Sequence, residues 1–522
     1  MLKKLHGRKL AVCLIGGAMY ALFSAFGWQA EHGGVIWAGG ALLVAALLVW
    51  PIAALLAVLL ERGYTRALRR EKTFRAGWAF AFILACYVPM FCVAFPGSFA
   101  YDVPYQLRQV VTGAYSTHHP LLHTLALGGL LQLGRALGDI NLGAALYTAL
   151  QMALLAGCFA LTCGSIARQS GARAAKRAAV FFALYPLNMV MAVNATKDVL
   201  FGGFFALTLA LLNEIREKPA RGLALKIAVC GALAVMLRNN MAYAALVWLA
   251  ILTIGLRKAE KSAALAMLLA LAVGLCGNAA LKHATRAESG DMSEMLSWPI
   301  QQLARARLYD EERLTDAEKE AIDELMPSEA WACYDPTISD PVKFEFDTQA
   351  FRADVKKYVG VWLSVGKKCA GTYLDATMAL TYPFFYPYRE YRVSGYYVQM
   401  GMSDAYDAGW CDFDPPESRS LFPRALASLS WRFGAKGAMQ IPVVGWLFNM
   451  GVIVWTMLFF ALREMYWGRW RRFGTALLPV LLWGTFLLGP VMAGRYIYPF
   501  VCALPVLAAR PGRSVKEAAR HG

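Results

Sequence analysis

The sequence predicts an all-α polytopic membrane protein of about twelve transmembrane helices, on three observations. The first is composition: 58% of the 522 residues are hydrophobic and mean hydropathy is +0.43, against roughly half apolar in a soluble domain. The second is that uncharged apolar runs long enough to cross a bilayer, about 18 residues or more, recur along the chain. The third is where the charge lies. Lysine and arginine fill short segments between apolar runs, such as "KKLHGRK", "ERGYTRALRREKTFR", "ARQSGARAAKR" and "REMYWGRWRR". About two thirds of the acidic residues gather instead between residues 283 and 436. The formal charge of +17 thus follows the positive-inside preference of membrane loops and does not mark a nucleic-acid surface.

Lys3, Lys4, Arg8 and Lys9 put the N-terminus in the cytoplasm. The first twenty residues look like a signal peptide, but no small-residue cleavage site is convincing and apolar runs continue, so they read as an uncleaved first span. Spans are expected at roughly 10–28, 34–60 and 76–95, which places "FPGSFAYDVPYQLRQVVTGAYSTHHP" outside. The next apolar run, roughly 121–137, is short, and counting it as a crossing would invert every later basic cluster. It is therefore expected to be an interfacial or re-entrant helix. Further spans follow at roughly 141–166, 178–194, 198–213, 223–238, 241–256, 262–282, 437–462, 474–493 and 496–510. Both termini are then cytoplasmic. The chain divides into an N-terminal transmembrane region (1–282, about nine spans, with an outer catalytic loop at 96–140), an extracytoplasmic domain (283–436), and a C-terminal region of three spans and a basic tail (437–522).

The outer segment reads as mainly helical. "LTDAEKEAIDELMP" has a Thr/Asp cap, acidic early turns and a closing proline. Residues 355–385 are amphipathic and aromatic, as a helix lying on a membrane surface would be. Of the eleven cysteines none forms a CxxC or a Cys/His metal spacing. Cys333, Cys369 and Cys411 fall in the outer segment, where three thiols leave room for one bridge. No glycine loop for a nucleotide is present. No cofactor is expected, and a divalent cation is left open.

The polar residues at the outer ends of the spans carry the functional reading. Asp102 follows the third span; Lys197 and Asp198 occupy the turn in "NATKDVLF"; Arg238 lies in "MLRNNMAY"; Arg495 and Tyr496 lie in "GPVMAGRYIYPF". Cations there run against the positive-inside preference, so each needs a reason. Snorkelling or a local ion pair is one. A pocket for an anionic group such as a lipid phosphate is the other, and arginine and lysine are the usual partners of phosphate. Asp102 is a candidate general base, with helix capping of "VPYQLRQVV" as its structural alternative. His118 and His119, before Pro120, are candidates for substrate hydrogen bonding. Gln301, Gln302 and Arg305 in "SWPIQQLARARLYD" are candidates for contact with a polar substrate at the membrane mouth, a plain helix start being the alternative.

The order of these features resembles the GT-C class of integral-membrane glycosyltransferases, which take sugars from polyprenyl-phosphate carriers. More closely, "FPGSFAYDVPYQ…HHPLLHT", "NATKDVLF", "LRNNMAY", "SWPIQQLARA" and "YDPTISDPVK" resemble an uncharacterised bacterial membrane family related to that class. The resemblance implies a plasma-membrane enzyme moving a sugar from a polyprenyl-phosphate donor to a cell-envelope glycan, lipid or protein. It makes Asp102 the base and Lys197, Arg238 and Arg495 the phosphate ligands. The class commonly places its acidic loop after the first span, often with two carboxylates; here the loop follows the third, with Asp102 alone. An envelope-glycan ligase or polymerase would share the outer domain and arginines. A flippase or transporter would show mid-span charges and pseudo-symmetric halves, and few such charges and no repeat are found.

Overall fold

The computed structural model describes all residues except 1, 3, 4, 34, 35, 63–73, 255–257, 395, 396, 404–414, 435, 436, 438, 439 and 511–522. Among the described residues there is no β-strand, only isolated bridges. The first helices are α1 (Gly7–His32), α2 (Ala38–Arg62), α3 (Ala76–Ala94), α4 (Val103–Thr112), α5 (Leu121–Ala136), α6 (Ile140–Ser170), α7 (Ala172–Leu184) and α8 (Pro186–Ala192). Then come α9 (Lys197–Glu217), α10 (Arg221–Leu237), α11 (Asn239–Thr253), α12 (Lys258–Thr285), α13 (Ser297–Tyr309), α14 (Asp316–Leu325), α15 (Ser328–Ala332), α16 (Asp340–Lys343) and α17 (Thr348–Ala353). The last are α18 (Val355–Lys368), α19 (Ala370–Thr381), α20 (Pro423–Phe433), α21 (Met450–Tyr466), α22 (Trp470–Leu487) and α23 (Tyr498–Ala508).

The chain is a helical membrane protein. Six described helices, α1, α2, α3, α6, α9 and α12, are long and apolar enough to cross a bilayer. The other six expected spans are shorter or broken helices. The run at 178–194 is split into α7 and α8 where Pro186 removes a backbone donor. The expected 437–462 span begins at Met450, after a 3₁₀ turn at Val444–Leu447. Hydropathy alone reads a bent or interrupted apolar segment as continuous, because it is blind to helix breaks. The short α5 has 16 residues, about 24 Å at 1.5 Å per residue, less than the roughly 30 Å hydrocarbon core.

The axis of the bundle is α9, apolar around most of its circumference and buried over 83% of its most apolar window. It packs against α6, α10, α12, α22 and α23. Small residues allow the closest approaches. A Cβ on Gly134 of α5 would lie 2.4 Å from the Gly143 backbone nitrogen of α6, so these two helices meet backbone to backbone.

Residues 292–373 have a separate core, built on Ile300, Leu303, Ile322, Leu325, Val342, Val365 and Tyr373. Within it, Thr315 and Glu318 form the reciprocal capping box of α14 that the sequence signals. The amphipathic α18 turns Tyr358 and Val365 into this core and leaves Val355, Val359 and Leu363 exposed. Residues beyond Thr381 rejoin the main bundle, where Tyr382, Phe384, Tyr388, Tyr391 and Tyr397 form an aromatic strap in its core. Cys333 is exposed, Cys369 is buried, and both are free thiols; Cys411 lies outside the described residues, as do Lys3, Lys4 and the basic tail from 511 onward.

Candidate functional site

Asp102, His119, Lys197, Asp198, Arg238, Arg495 and Tyr496 meet at one end of the bundle, drawn from segments up to 393 residues apart. Each ionic residue sits where a helix begins. Asp102 precedes α4, Lys197 and Asp198 open α9, Arg238 precedes α11, and Arg495 lies in the 3₁₀ turn Gly494–Ile497 before α23. Helix N-termini expose free N–H groups and the positive end of the dipole. Carboxylates are at home there and cations are not, which applies to Lys197 and Arg495; Arg238 also closes α10, an end that favours a cation.

The Asp102 carboxylate accepts from Lys197 Nζ at 2.9 Å and from two Arg495 guanidinium nitrogens at 3.2 and 3.3 Å. His119 Nδ1 lies 3.6 Å away. Asp102 stands at the N-cap position of α4, but its side chain makes no capping hydrogen bond; the cations engage it instead. Behind it, the fully buried Asp198 accepts from Arg238 Nε at 2.5 Å and from the Thr196 hydroxyl at 3.2 Å. The Arg238 guanidinium lies over the rings of Phe486 and Tyr496, at 4.7 and 4.5 Å from their centroids. Arg495 lies 4.5 Å from the Tyr101 ring centroid and 5.2 Å from that of Tyr496.

Burial opposes ionisation of Asp102, but Arg495 and Lys197 together hold its carboxyl well below the usual carboxylate range. Burial pushes His119 down to about 3 against the pull of Asp102, so the imidazole is neutral. Three cations (Lys197, Arg238, Arg495) therefore face two carboxylates (Asp102, Asp198), an excess of one positive charge. Two guanidinium nitrogens, Arg238 Nη2 and Arg495 Nε, are buried with no hydrogen-bond partner. Buried donors without a hydrogen-bond partner, beside an uncompensated charge, are groups that an anion could satisfy.

A polar chain behind the cluster fixes its walls, and its direction can be read from the donors. The Gln106 amide of α4 donates to His123 Nδ1 and to the Thr124 hydroxyl of α5, both at 3.0 Å. That leaves His123 Nε2–H to donate to the Tyr147 hydroxyl of α6 at 2.8 Å, and Tyr147 to donate to Gln151 Oε1 at 3.0 Å. The Gln151 amide donates in turn to the carbonyls of Ala192 and Asn194, in the turn that presents Lys197. Asp102 and Lys197 thus rest on the two ends of one network. On the other side, Ser98 and Phe99 pair with Asn194 and Met402, and Tyr101 accepts from the Gln399 backbone N–H through its hydroxyl. Tyr101 has a φ of 54°, a conformation unusual for a bulky residue, stabilised by Gln399 at both its backbone and its ring.

Other residues named from the sequence lie elsewhere. His118 is exposed, stacks edge-on against His119 and has Nδ1 3.9 Å from Glu294. Gln301 donates to the carbonyls of Asp335 and Ile338, Gln302 bridges Thr377 and Trp362, and Arg305 reaches Tyr334 and Asp375. These three belong to the separate core of residues 292–373 and do not join the cluster. Gln301 has an indirect link, because Ile338 pairs with Val491, just before Arg495. His123, Tyr147 and Gln151 escaped sequence reasoning because single polar residues on apolar helices carry no spacing, and Gln106, on amphipathic α4, and Tyr101 and Gln399, outside any helix, carry no motif. Among the described residues no group of three or more His, Cys, Asp or Glu side chains is placed to hold a metal ion.

Residues 112–521 match a family described as a family of unknown function (DUF6020). The chain belongs to this family. The match takes in every clustered residue except Asp102, which lies just upstream of it. No curated protein and no solved structure matches the chain.

Proposed function

We propose that the protein is an integral-membrane glycosyltransferase of the GT-C type, working in the bacterial plasma membrane with both termini cytoplasmic and the Asp102 cluster at the outer face. It moves a sugar from a polyprenyl-phosphate carrier to an envelope glycan, lipid or protein. What supports this reading above all is the cluster's excess positive charge with two buried guanidinium nitrogens that make no hydrogen bond, one of them, Arg495 Nε, 4.0 Å from Asp198 Oδ2. It is the chemistry of a phosphate site, set in a helical membrane protein. A twelve-span topology with the 292–373 core outside agrees with the placement of the basic clusters.

In the reaction the acceptor oxygen forms a bond to the anomeric carbon as the bond from that carbon to the phosphate oxygen breaks. The bonding pair leaves with the lipid phosphate. Lys197, Arg238 and Arg495 stabilise that charge, where preorganised cations act most strongly. The acceptor hydroxyl proton passes to Asp102. His119, neutral and beside Asp102, orients the acceptor. A single displacement of this kind inverts the anomeric centre.

The test is transfer of radiolabelled sugar from a panel of polyprenyl-phosphate sugars by the purified full-length protein in bilayers. Wild type is expected to transfer from at least one donor, and a folded Asp102→Asn variant to lose about 10²–10⁴-fold of that rate. Transfer that survives in Asp102→Asn moves the base elsewhere. No transfer from any donor contradicts the reading and favours a ligase or flippase.

A further inference from the structure

We infer that Asp102 and a phosphate headgroup compete for the same two cations, so that phosphate binding itself releases Asp102 from Lys197 and Arg495 for proton transfer. The inference rests on the reading of the cluster as a phosphate cradle and adds a coupling between binding and base activation.

The two carboxylates are held differently. Asp198 has no exposed surface and is tied to Arg238 and Thr196 from within the bundle, so it is a fixed counter-ion. Asp102 engages its partners at longer range, 2.9 to 3.3 Å, and its side chain is 23% exposed. Lys197, Arg495 and Arg238 are 14%, 11% and 9% exposed, so Asp102 is the most accessible of the four ionic groups. A ligand reaching the cluster from solvent therefore competes with its most exposed charge.

Asp102 also imitates the ligand. Its two oxygens take a fork of Arg495 and the Lys197 ammonium, which is how a phosphate would be gripped. A phosphodiester carries one negative charge and balances the one positive charge in excess. Arg238 Nη2 and Arg495 Nε, which make no hydrogen bond although Arg495 Nε lies 4.0 Å from Asp198 Oδ2, supply further donors to a headgroup with more acceptor oxygens than a carboxylate. While both cations hold it, the Asp102 carboxyl lies well below the usual carboxylate range, which weakens it as a base. Once phosphate takes them, that restraint is gone and the base stands next to the bond being made. No proton, electron or co-reactant is needed beyond those in the transfer step.

The experiment is equilibrium binding of undecaprenyl phosphate and, separately, inorganic phosphate to the full-length protein in nanodiscs. Asp102→Asn, which removes the competing charge, is expected to bind about tenfold more tightly than wild type or better. Asp102→Glu, which restores the charge, is expected to bind like wild type, and Lys197→Ala more weakly. Tightening with both probes assigns the competition to phosphate itself; tightening with the lipid alone assigns it to a lipid-borne headgroup. Asp102→Asn that binds neither probe more tightly than wild type overturns the inference.

Should Asp102→Asn fail to fold, infrared difference spectra of wild type answer the same question. A shifted carboxylate band on adding undecaprenyl phosphate is expected, and unchanged carboxylate bands overturn the inference. The two readings fail separately. Tighter binding without sugar transfer from any donor removes the transferase and keeps the competition. Transfer by wild type without tightening in Asp102→Asn does the reverse.

Discussion

Both ends of the bundle bury arginines, and they use them in opposite ways. At both ends arginines lie over aromatic rings, but at the Asp102 end the hydrogen bonds of Arg238 and Arg495 go to side chains. At the far end of the same helices, Arg463 donates to the carbonyls of Leu507 and Ala508, Arg472 to that of Ala509, and Arg216 to that of Arg471. Each of these three also pairs with a glutamate: Glu464, Glu217 or Glu260. The difference follows from helix polarity. Arg463 and Arg472 cover carbonyls at the closing end of α23, where cations are welcome and orphan acceptors need donors. Arg495 stands just before α23 opens, and Arg238 closes α10 as it opens α11; among the described residues neither covers a carbonyl with its side chain. The first set completes the fold. The second covers no described carbonyl and is the set that the proposed phosphate would bind.

The largest expected effect sharpens that contrast. Removing the buried counter-ion at either end, by Asp198→Ala or Glu464→Ala, should cost about 3–5 kcal/mol, because each leaves an arginine buried without its charge partner. Thermal unfolding measures the loss. Added undecaprenyl phosphate should restore part of it in Asp198→Ala and none in Glu464→Ala; equal rescue at both ends would erase the distinction.

Next in size is the network behind the cluster. His123→Leu leaves the Gln106 amide and the Tyr147 hydroxyl short of a buried partner, a cost of about 1–3 kcal/mol. It should also lower transfer per folded molecule, since Asp102 and Lys197 rest on its two ends. Normal transfer at reduced stability would show that the network only supports the fold.

The pH dependence is smaller and has a defined sign. His119 is held down to about 3 against an ordinary value of 6.5. In that window the unfolded chain binds a proton that the folded chain refuses. Stability contributed by neutral His119 is therefore complete above 6.5 and lost as pH falls, by at most about 1.4 kcal/mol per pH unit. His119→Asn should flatten the melting temperature against pH between 6.5 and 4. An unchanged slope would mean that the imidazole is not kept neutral.

The smallest effect is expected at Gln302. Gln302→Met breaks its bonds to Thr377 and Trp362 within the separate core, at about 1 kcal/mol, and should leave lipid-phosphate affinity unchanged. A large drop in affinity would return Gln302 to the site.

The residues most visible in the sequence were those out of place. Lys197, Arg238 and Arg495 stood out because cations at those helix ends break the charge pattern of the rest of the chain, and they do converge. Gln301, Gln302 and Arg305 looked equivalent on paper, since nothing in a sequence tells a buried bond to a backbone carbonyl from a bond to a ligand. His123 and Gln151 were hidden for the opposite reason, as single polar residues on apolar helices whose partners come from other helices. The helical class was legible from hydropathy, but the interruptions at Pro186 and before Met450 were not, because an apolar run scores alike whether straight or broken.

The measurement that tests the central claim most directly is undecaprenyl phosphate affinity in Arg495→Gln against Arg463→Gln, both checked for folding. The account predicts a loss of about tenfold or more in Arg495→Gln, the removal of one charge-assisted contact, and wild-type affinity in folded Arg463→Gln. Equal loss in both, or none in Arg495→Gln, would contradict the assignment of the Asp102 end as the anion site.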